Sequence, residues 1–437
     1  MFETNDYQKY GDFSGDGREF VIRRFDTPRP WINYAWNDKL LVAIDQRGRG
    51  TSLHRDQAGH RTIPIRDRFV YVKDHQSGRF WTIGWDPVRL PFDHYVCKHG
   101  LGYSTLECTI DEIWCQWTLT ASASEPAEIW SIRIENHSST ERTLSIYPAV
   151  EFDLGGWTPY GTVENYSTCR YNGHHSLIAL NQSDERPDAK NHAIFSAEKS
   201  PNHYETRKRD FLGRYYSTLA SPAGVIARQL SNQDAATEDF IAAFQYDIRL
   251  KSGADWQHHF AAGCVGSETE EPLIQRCASA AAFTQGIEAA RQRTKRFSGI
   301  DITLPDERWT HLFNTWTKQQ LFLLKEFARV YLIGFRDTLQ DAKALCAYAP
   351  DLAADSILKA LRHQFQDGST MRGWCPDDLH KYADSGVWLP MAVAEYLRET
   401  NDLEFLSRCE IYRDGGEGSI WDHVLRAIAW FFENLGS

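Results

Sequence analysis

Apolar and polar residues alternate along much of the chain from Gly11 to about Gly266, which is the period of a β-strand with one buried face. In the run from 128 to 135, Trp130, Ile132 and Ile134 share one side, and serine, arginine and glutamate occupy positions on the other. Turn sequences such as Lys251-Ser252-Gly253 separate such runs. The pattern predicts a large antiparallel β-sandwich.

The period changes to that of a helix after Glu271. Apolar residues then recur at helical spacing until a basic cluster that precedes Ser298-Gly299, which predicts one long linking helix. Past Pro305, four apolar stripes at helical spacing predict an all-α domain, and they span residues 309–327, 354–365, 389–397 and 421–435. We therefore divide the chain into a β-sandwich domain at 1–268, a helical linker at 269–299 and a helical domain at 300–437.

The loops of the helical domain carry most of its candidate chemistry. An apolar run ends at Gly334 and is followed by Arg336 and Asp337 at the start of a helix. This pair is either a salt-bridged helix start or a hydrogen-bonding fork for a polyhydroxyl ligand. The segments 373–378 and 382–388 are rich in polar and aromatic residues, and loops on one rim of a helical array commonly build a site. The glycine-rich segment 414–419 has a simpler interpretation, a turn followed by a helix N-cap.

Composition excludes several classes of function. A formal net charge of −11 argues against a nucleic-acid-binding protein, because affinity for phosphates requires clustered cations. The nine cysteines contain no CxxC pair, so we expect reduced, mostly buried thiols and neither a disulfide framework nor a metal site. The fifteen tryptophans could stack on sugar rings, but core filling is the expected role for most of them.

The sequence contains no recognisable targeting or membrane segment. Residues 1–10 are polar and lack the apolar core of a signal peptide, and no apolar run is long enough to cross a bilayer. The expectation is therefore a cytoplasmic protein with no membrane partner.

Six short motifs, in chain order, resemble those of glycoside hydrolase family 94, the inverting disaccharide phosphorylases. They are REFVI at 18–22, PWINY at 30–34, HGLGYS at 99–104, AEIW at 127–130, DFLG at 210–213 and GFRDTLQD at 334–341. The resemblance implies an N-terminal antiparallel β-super-sandwich, a helical linker and an (α/α)6 barrel. It also implies cleavage of a β-linked disaccharide or oligosaccharide by inorganic phosphate, with inversion, to a sugar 1-phosphate.

The same resemblance implies roles for four residues. Asp384 matches the general acid, although the surrounding ADSGVW departs from the usual Ser-Asp-Asp-x-x-Trp of the family. Arg329, Arg336 and Asp337 match positions that bind the non-reducing sugar. Phosphate is the nucleophile in such a reaction, so one carboxyl group suffices and no cofactor or metal is implied. Asp384 would have to be protonated near neutral pH.

The resemblance stops short of a whole family member. Members of the family are much longer, and the later motifs that hold phosphate do not occur in this sequence. We therefore expect an incomplete (α/α)6 barrel with an exposed apolar face, from a truncated or split gene product. The missing half would be a separate polypeptide or lost, and we do not expect catalysis by this chain alone. Homodimers are usual in the family.

Two other functions fit the same residues. The first is a non-catalytic carbohydrate-binding protein that keeps the sandwich and the pocket of Arg329, Arg336 and Asp337. The second is an inverting glycoside hydrolase, in which Asp377, Asp378 or Glu417 would activate water as the base.

Overall fold

The computed structural model describes residues 8–55, 61–154, 167–181, 192–213, 218–227, 229–295, 300–327 and 332–435. The chain divides into two compact units. The sandwich unit comprises residues 1–55 and 62–292, and the helical unit comprises 56–61 and 293–437. Arg329 lies outside the described residues. No helix in the described residues has both the length and the apolar character that a bilayer span requires.

The sandwich unit contains two large sheets, whose strands are numbered here in chain order. The first sheet has eleven strands in the order β1 (Gly11–Phe13), β2 (Glu19–Ile22), β8 (His94–Gly100), β9 (Tyr103–Ile110), β10 (Ile113–Ala121), β11 (Ala127–Asn136), β19 (Asp255–Val265), β15 (His192–Ala197), β14 (Ser176–Asn181), β13 (Ser167–Tyr171) and β17 (Ala235–Ala236). The second has eight strands, β16 (His203–Arg207), β18 (Phe240–Leu250), β12 (Arg142–Phe152), β6 (Arg61–Asp74), β5 (Ser52–Arg55), β4 (Leu40–Asp45) and β3 (Ile32–Trp36), with β7 (Phe80–Thr82) beside β6. The antiparallel pairings confirm the predicted sandwich.

The alternating residues of the strands form the core between these sheets. Trp130, Ile132 and Ile134 of β11 are fully buried, together with Trp117 of the neighbouring strand β10. Trp117 and Trp130 pack edge to face with 5.1 Å between ring centroids. Trp81, on β7, is also fully buried in this cluster, so these tryptophans fill the core, as expected from the sequence.

A buried ion pair connects the two sheets. Arg68 on β6 donates two hydrogen bonds of 2.9 Å to Glu128 on β11, and both side chains have no exposed surface. Glu128 also accepts hydrogen bonds from Trp130 Nε1 at 2.8 Å and from Ser52 Oγ at 2.5 Å, while Arg68 Nη1 donates to the Ala43 carbonyl at 2.9 Å. These contacts compensate the cost of removing two charges from water.

The segment after β19 differs from the prediction of one long helix. It forms α3 (Glu271–Cys277) and α4 (Ala280–Lys295), which are numbered after two short helices, α1 (Lys208–Leu212) and α2 (Ala223–Ile226). The chain leaves the helical conformation at Ala278, which is buried with Ile274 and Cys277 against the first sheet. Ser279 then accepts a 3.3 Å hydrogen bond from the Ala282 amide at the start of α4, and the sandwich unit extends to Gln292.

The helical unit begins with α5 (Glu307–His311), a π-helical turn (Leu312–Thr317) and α6 (Lys318–Phe327). It continues with α7 (Phe335–Leu345), α8 (Pro350–Leu361), α9 (Ala383–Thr400) and α10 (Ile420–Glu433). The prediction of an all-α domain misses two short strand pairs in the loops. These are β20 (Ile333–Gly334) with β21 (Gly373–Trp374), and β22 (Cys409–Ile411) with β23 (Glu417–Ser419).

The predicted apolar stripes have different environments. Those of α8 and α9 face the interior, where Ile357, Leu361 and Leu389 are fully buried. The stripe predicted for α10 faces outward, and its members Trp421, Leu425, Ile428, Phe432 and Leu435 are exposed. In the described residues, α10 instead packs through Ile420, His423, Val424 and Ala427. This apolar face of α10 is therefore exposed in the described part of the chain.

Seven of the nine cysteines are buried, Cys375 is half-buried and Cys409 is exposed. This agrees with the expectation of mostly buried thiols. Among the described residues, no group of three or more His, Cys, Asp or Glu side chains is placed to hold a metal ion.

Candidate active site

The start of α7 positions two of the predicted sugar-binding residues. Gly334 is its N-cap in an extended conformation, and the Phe335 amide donates a 3.1 Å hydrogen bond to the Arg372 carbonyl. Phe335 is fully buried, so its side chain anchors the first turn. Arg336 and Asp337 follow in that turn, and Arg336 is directed to solvent. A Cβ atom at position 334 would lie against the Asp337 carboxylate, so a larger residue there would displace this side chain.

The start of α9 positions the predicted general acid. Tyr382 is the N-cap, and Asp384 lies in the first turn with 53% of its side chain exposed. Ser385, which follows it, is buried, and Leu389 one turn later is fully buried. Ser385, a departure from the family pattern, thus has a packing role in this structure.

Arg336 and Asp384 meet although they are 48 positions apart in the sequence. Arg336 Nη1 donates a 2.7 Å hydrogen bond to Asp384 Oδ2. The contact raises the pKa of Arg336 above its ordinary value, chiefly through this hydrogen bond and the Asp384 charge, with a smaller contribution from Asp337. The Asp384 carboxylate is thus occupied by Arg336, and a ligand that takes over Arg336 would leave this carboxylate without its partner.

A cavity of about 660 Å³ lies beside these helix starts, and its lining does not include Arg336 or Asp384. Leu332, Arg372, Asp377, Asp378 and His380 contribute to its wall. Leu332 precedes Arg336 by four residues, and His380 precedes Asp384 by four. The polar loop noted in the sequence therefore does build a cavity, next to the ion pair rather than around it.

The carboxylates of this cavity are hydrogen-bonded to arginine and histidine side chains. Asp378 Oδ2 accepts a hydrogen bond from Arg372 Nη1 at 3.0 Å, and its Oδ1 lies 2.7 Å from His380 Nδ1. The hydrogen bond from His380 is the main cause of a lowered pKa at Asp378. Asp377 accepts from Arg413 Nη2 at 2.5 Å. Such pairing orients the carboxylates as hydrogen-bond acceptors and makes Asp377 and Asp378 poor candidates for a free base.

Sequence reasoning missed Arg372, His380 and Arg413. Arg372 immediately precedes the loop 373–378 and His380 follows two residues after it, so charged residues flanking a polar loop were the available signal. Nothing in their spacing indicates which carboxylate each would contact.

The segment 414–419 forms a turn followed by a helix N-cap. Ser419 is the N-cap of α10, and it forms a capping box with Asp422. The Tyr412 amide donates to the Gly416 carbonyl at 3.1 Å, which closes the turn. Glu417 is exposed on β23. The interpretation of this segment as a turn and cap is confirmed.

Two family models match the chain. The model described as "Glycosyl hydrolase 94, supersandwich domain" matches residues 18–280, and the model described as "Glycosyl hydrolase 94 superfamily, catalytic domain" matches residues 293–437. Together they cover most of both units.

The chain is also similar to curated disaccharide phosphorylases. It is 35% identical to solabiose phosphorylase of Paenibacillus borealis over 98% of this chain and 57% of that protein. It is 26% identical to N,N'-diacetylchitobiose phosphorylase of Vibrio proteolyticus over 98% of this chain and 60% of that protein. The chain thus spans less than two thirds of the length of these relatives.

A solved structure of low sequence identity is similar in fold. A bacterial glucoamylase bound to acarbose superposes with a TM-score of 0.52 at 10% identity, over 94% of this chain and 70% of that one. This similarity agrees with the order of a sandwich followed by a helical domain.

Proposed function

The chain belongs to glycosyl hydrolase family 94, and we propose that it contributes to the phosphorolysis of a β-linked disaccharide or oligosaccharide. The observation that carries this proposal is the contact between Arg336 and Asp384, which lie in the first turns of α7 and α9. The relatives named above as phosphorylases support the reaction class.

In this reaction a sugar ring binds against Arg336 and Asp337. Sugar hydroxyls are hydrogen-bonding partners for a guanidinium and a carboxylate, so they compete with Asp384 for Arg336. Once Arg336 binds the sugar, Asp384 is free to lie beside the glycosidic oxygen as the proton donor.

Asp384 then transfers its proton to that oxygen as the bond from the anomeric carbon breaks. A phosphate oxygen attacks the anomeric carbon from the opposite face, so the configuration inverts and a sugar 1-phosphate forms. The leaving sugar departs with the proton, and Asp384 is reprotonated from solvent. Arg329 is proposed as a further contact to the non-reducing sugar by its match to the family motif.

The test is to incubate the chain with a panel of β-linked disaccharides, with and without phosphate, and to detect sugar 1-phosphate by phosphorus NMR. The chain is assayed alone and together with any further polypeptide encoded directly downstream. Sugar 1-phosphate that depends on phosphate and on Asp384 supports the proposal. If neither preparation forms it, the proposal is wrong.

A second function is favoured by the half-exposed state of the pair, because a proton donor usually needs a desolvated surrounding. The chain would then bind carbohydrate without turnover. Calorimetry would show sugar binding that Asp384→Asn does not weaken. Release of free sugar without phosphate would instead indicate a hydrolase.

A further inference from the structure

A second cleft, of about 490 Å³, lies in the sandwich unit where strands β2 and β8 separate. The two strands pair from Glu19 and Gly100 to Ile22 and Cys97. Beyond that point β8 continues to His94 in pairing with β9, whereas β2 has ended. The diverging segments 23–26 and 92–96 line the cleft. Its volume lies within the range of roughly 300–1,000 Å³ that is usual for small-molecule sites.

The charges of this cleft balance, which indicates a neutral ligand. Arg23 and Arg24 are opposed by Asp26 and Asp93. Arg24 holds Asp26 through two hydrogen bonds, of 2.9 and 2.6 Å, and the Asp93 carboxylate accepts from the Asp111 amide at 2.9 Å. A site for phosphate or a nucleotide would need an excess of positive charge. Guanidinium donors beside carboxylate acceptors suit vicinal hydroxyl groups instead, because each hydroxyl group can both donate and accept.

Aromatic rings form the apolar wall of the cleft and are held rigidly. Phe25 stacks on Trp85 with 4.6 Å between ring centroids, and Phe92 is parallel to Tyr95 at 5.6 Å. Tyr95 is buried, and its hydroxyl donates to the Gln46 carbonyl. Fixed aromatic rings offer apolar surface to the C–H faces of a pyranose without an entropic cost on binding.

Two polar side chains of the cleft are available to a ligand. Arg23 and His94 are exposed, and neither side chain has a hydrogen bond or ion pair within the described part of the chain. Each can donate to a hydroxyl group without breaking an existing contact.

We propose that this cleft is a second carbohydrate site, which binds a neutral oligosaccharide through the sandwich unit alone. It would retain a longer saccharide on the protein, and it does not depend on the reaction proposed above. Its ligand class is the β-linked glucan chain, whose rings carry equatorial hydroxyl groups around flat apolar faces.

Binding is tested by calorimetry with three probes, the β-1,2-, β-1,3- and β-1,4-linked glucotetraoses. The full chain carries Arg336→Ala and Asp384→Ala, so that the helical unit contributes no sugar contact through that pair. We expect at least one probe to bind with a Kd on the order of 1 mM, as is usual for a shallow site with few contacts. Adding Arg23→Ala and His94→Ala should weaken binding about tenfold, and this loss corresponds to about 1.4 kcal/mol.

Arg29→Ala is the matched control, because this exposed arginine belongs to the same loop but does not line the cleft. Circular dichroism checks that each variant folds. The proposal is overturned if no probe binds at millimolar concentration, if Arg29→Ala weakens binding as much as the cleft substitutions, or if inorganic phosphate displaces the sugar. An extended peptide that binds in place of all three glucans would also overturn it.

Discussion

Two arginine–carboxylate pairs in this protein have the same chemistry and opposite environments. Arg68 and Glu128 are completely buried between the sheets of the sandwich, and three further groups hydrogen-bond to them. Arg336 and Asp384 share one hydrogen bond at the surface of the helical unit, with 47% and 53% of their side chains exposed. The buried pair cannot lose a partner without leaving a charge in the core, whereas water or a ligand can replace either partner of the exposed pair. The difference separates a structural pair from one that can take part in binding.

The largest expected effect is on activity, at the exposed pair. Asp384→Asn should lower phosphorolysis about 10²–10⁴-fold, because it removes the proton donor. It should change the free energy of unfolding by less than about 1 kcal/mol, as is usual for exposed pairs. Initial rates of sugar 1-phosphate formation and urea titrations measure the two quantities. Glu395→Gln is the control, since Glu395 lies on the same helix and pairs with Arg398. Equal losses of activity in both variants would contradict the assigned role.

Substitution in the buried pair should mainly affect stability. Glu128→Ala is expected to lower the free energy of unfolding by about 3–5 kcal/mol, because Arg68 would keep an uncompensated charge in the core. The shift of the urea midpoint measures this. The double variant Arg68→Met with Glu128→Leu should recover much of the loss, because it removes both charges. A loss below about 1 kcal/mol in the single variant would show that the pair is not buried as described.

The burial of His99 should make the free energy of unfolding of the sandwich unit depend on pH. Burial lowers the pKa of His99 to about 4, and the neutral ring lies 2.9 Å from both Ser104 Oγ and the Trp31 carbonyl. Since an unfolded histidine titrates near 6.5, the stabilisation is complete above that pH and is lost as the pH falls from 6.5 towards 4. The loss amounts to about 3 kcal/mol at the lower end.

This dependence is measured by urea titrations across that pH range. His99→Gln should reduce it, because glutamine can keep a donor and an acceptor without titrating; part of the slope should remain, since burial also lowers the pKa of His258 to about 4. His94→Gln on the same strand is the control, since its side chain is exposed. If the slope is unchanged in His99→Gln, His99 does not contribute to the acid sensitivity.

The smallest expected effect is a difference in stability between substitutions of two isoleucines on one helix. Ile420 and Ile428 both lie on α10, but Ile420 is fully buried and Ile428 is 38% exposed. Ile420→Ala should cost about 2 kcal/mol, at the low end for a buried isoleucine because the residue begins the helix. Ile428→Ala should cost less than about 1 kcal/mol. Equal costs would show that the outward face of α10 is covered in solution.

The sequence indicated several elements correctly, and the reasons are local. The alternation around Trp130 predicted β11, and the apolar stripe at 389–397 predicted α9. The interruption at Ala278 was not predicted, because the helical period of apolar residues continues through it. The two small strand pairs of the helical unit were missed because each strand is two or three residues long.

The candidate site was predicted only in part. Gly334, Arg336 and Asp337 stand out through the motif, and Asp384 through its loop. Their proposed roles still await the experiments above. Arg372 and His380 were missed although they flank the polar loop, because the sequence does not show that they contact Asp378.

The sequence by itself determined the order of a β-sandwich and a helical domain, since the periods of two and 3.6 residues follow from backbone geometry. It also supplied the charged residues of both arginine–carboxylate pairs. Tertiary structure alone decided which pair is buried and which is exposed, because partners 60 and 48 positions apart meet only after their strands and helices have packed. The burial of a charged side chain depends on all the elements that pack around it. Burial in turn decides whether an ion pair stabilises the fold or whether one of its members can bind a ligand instead.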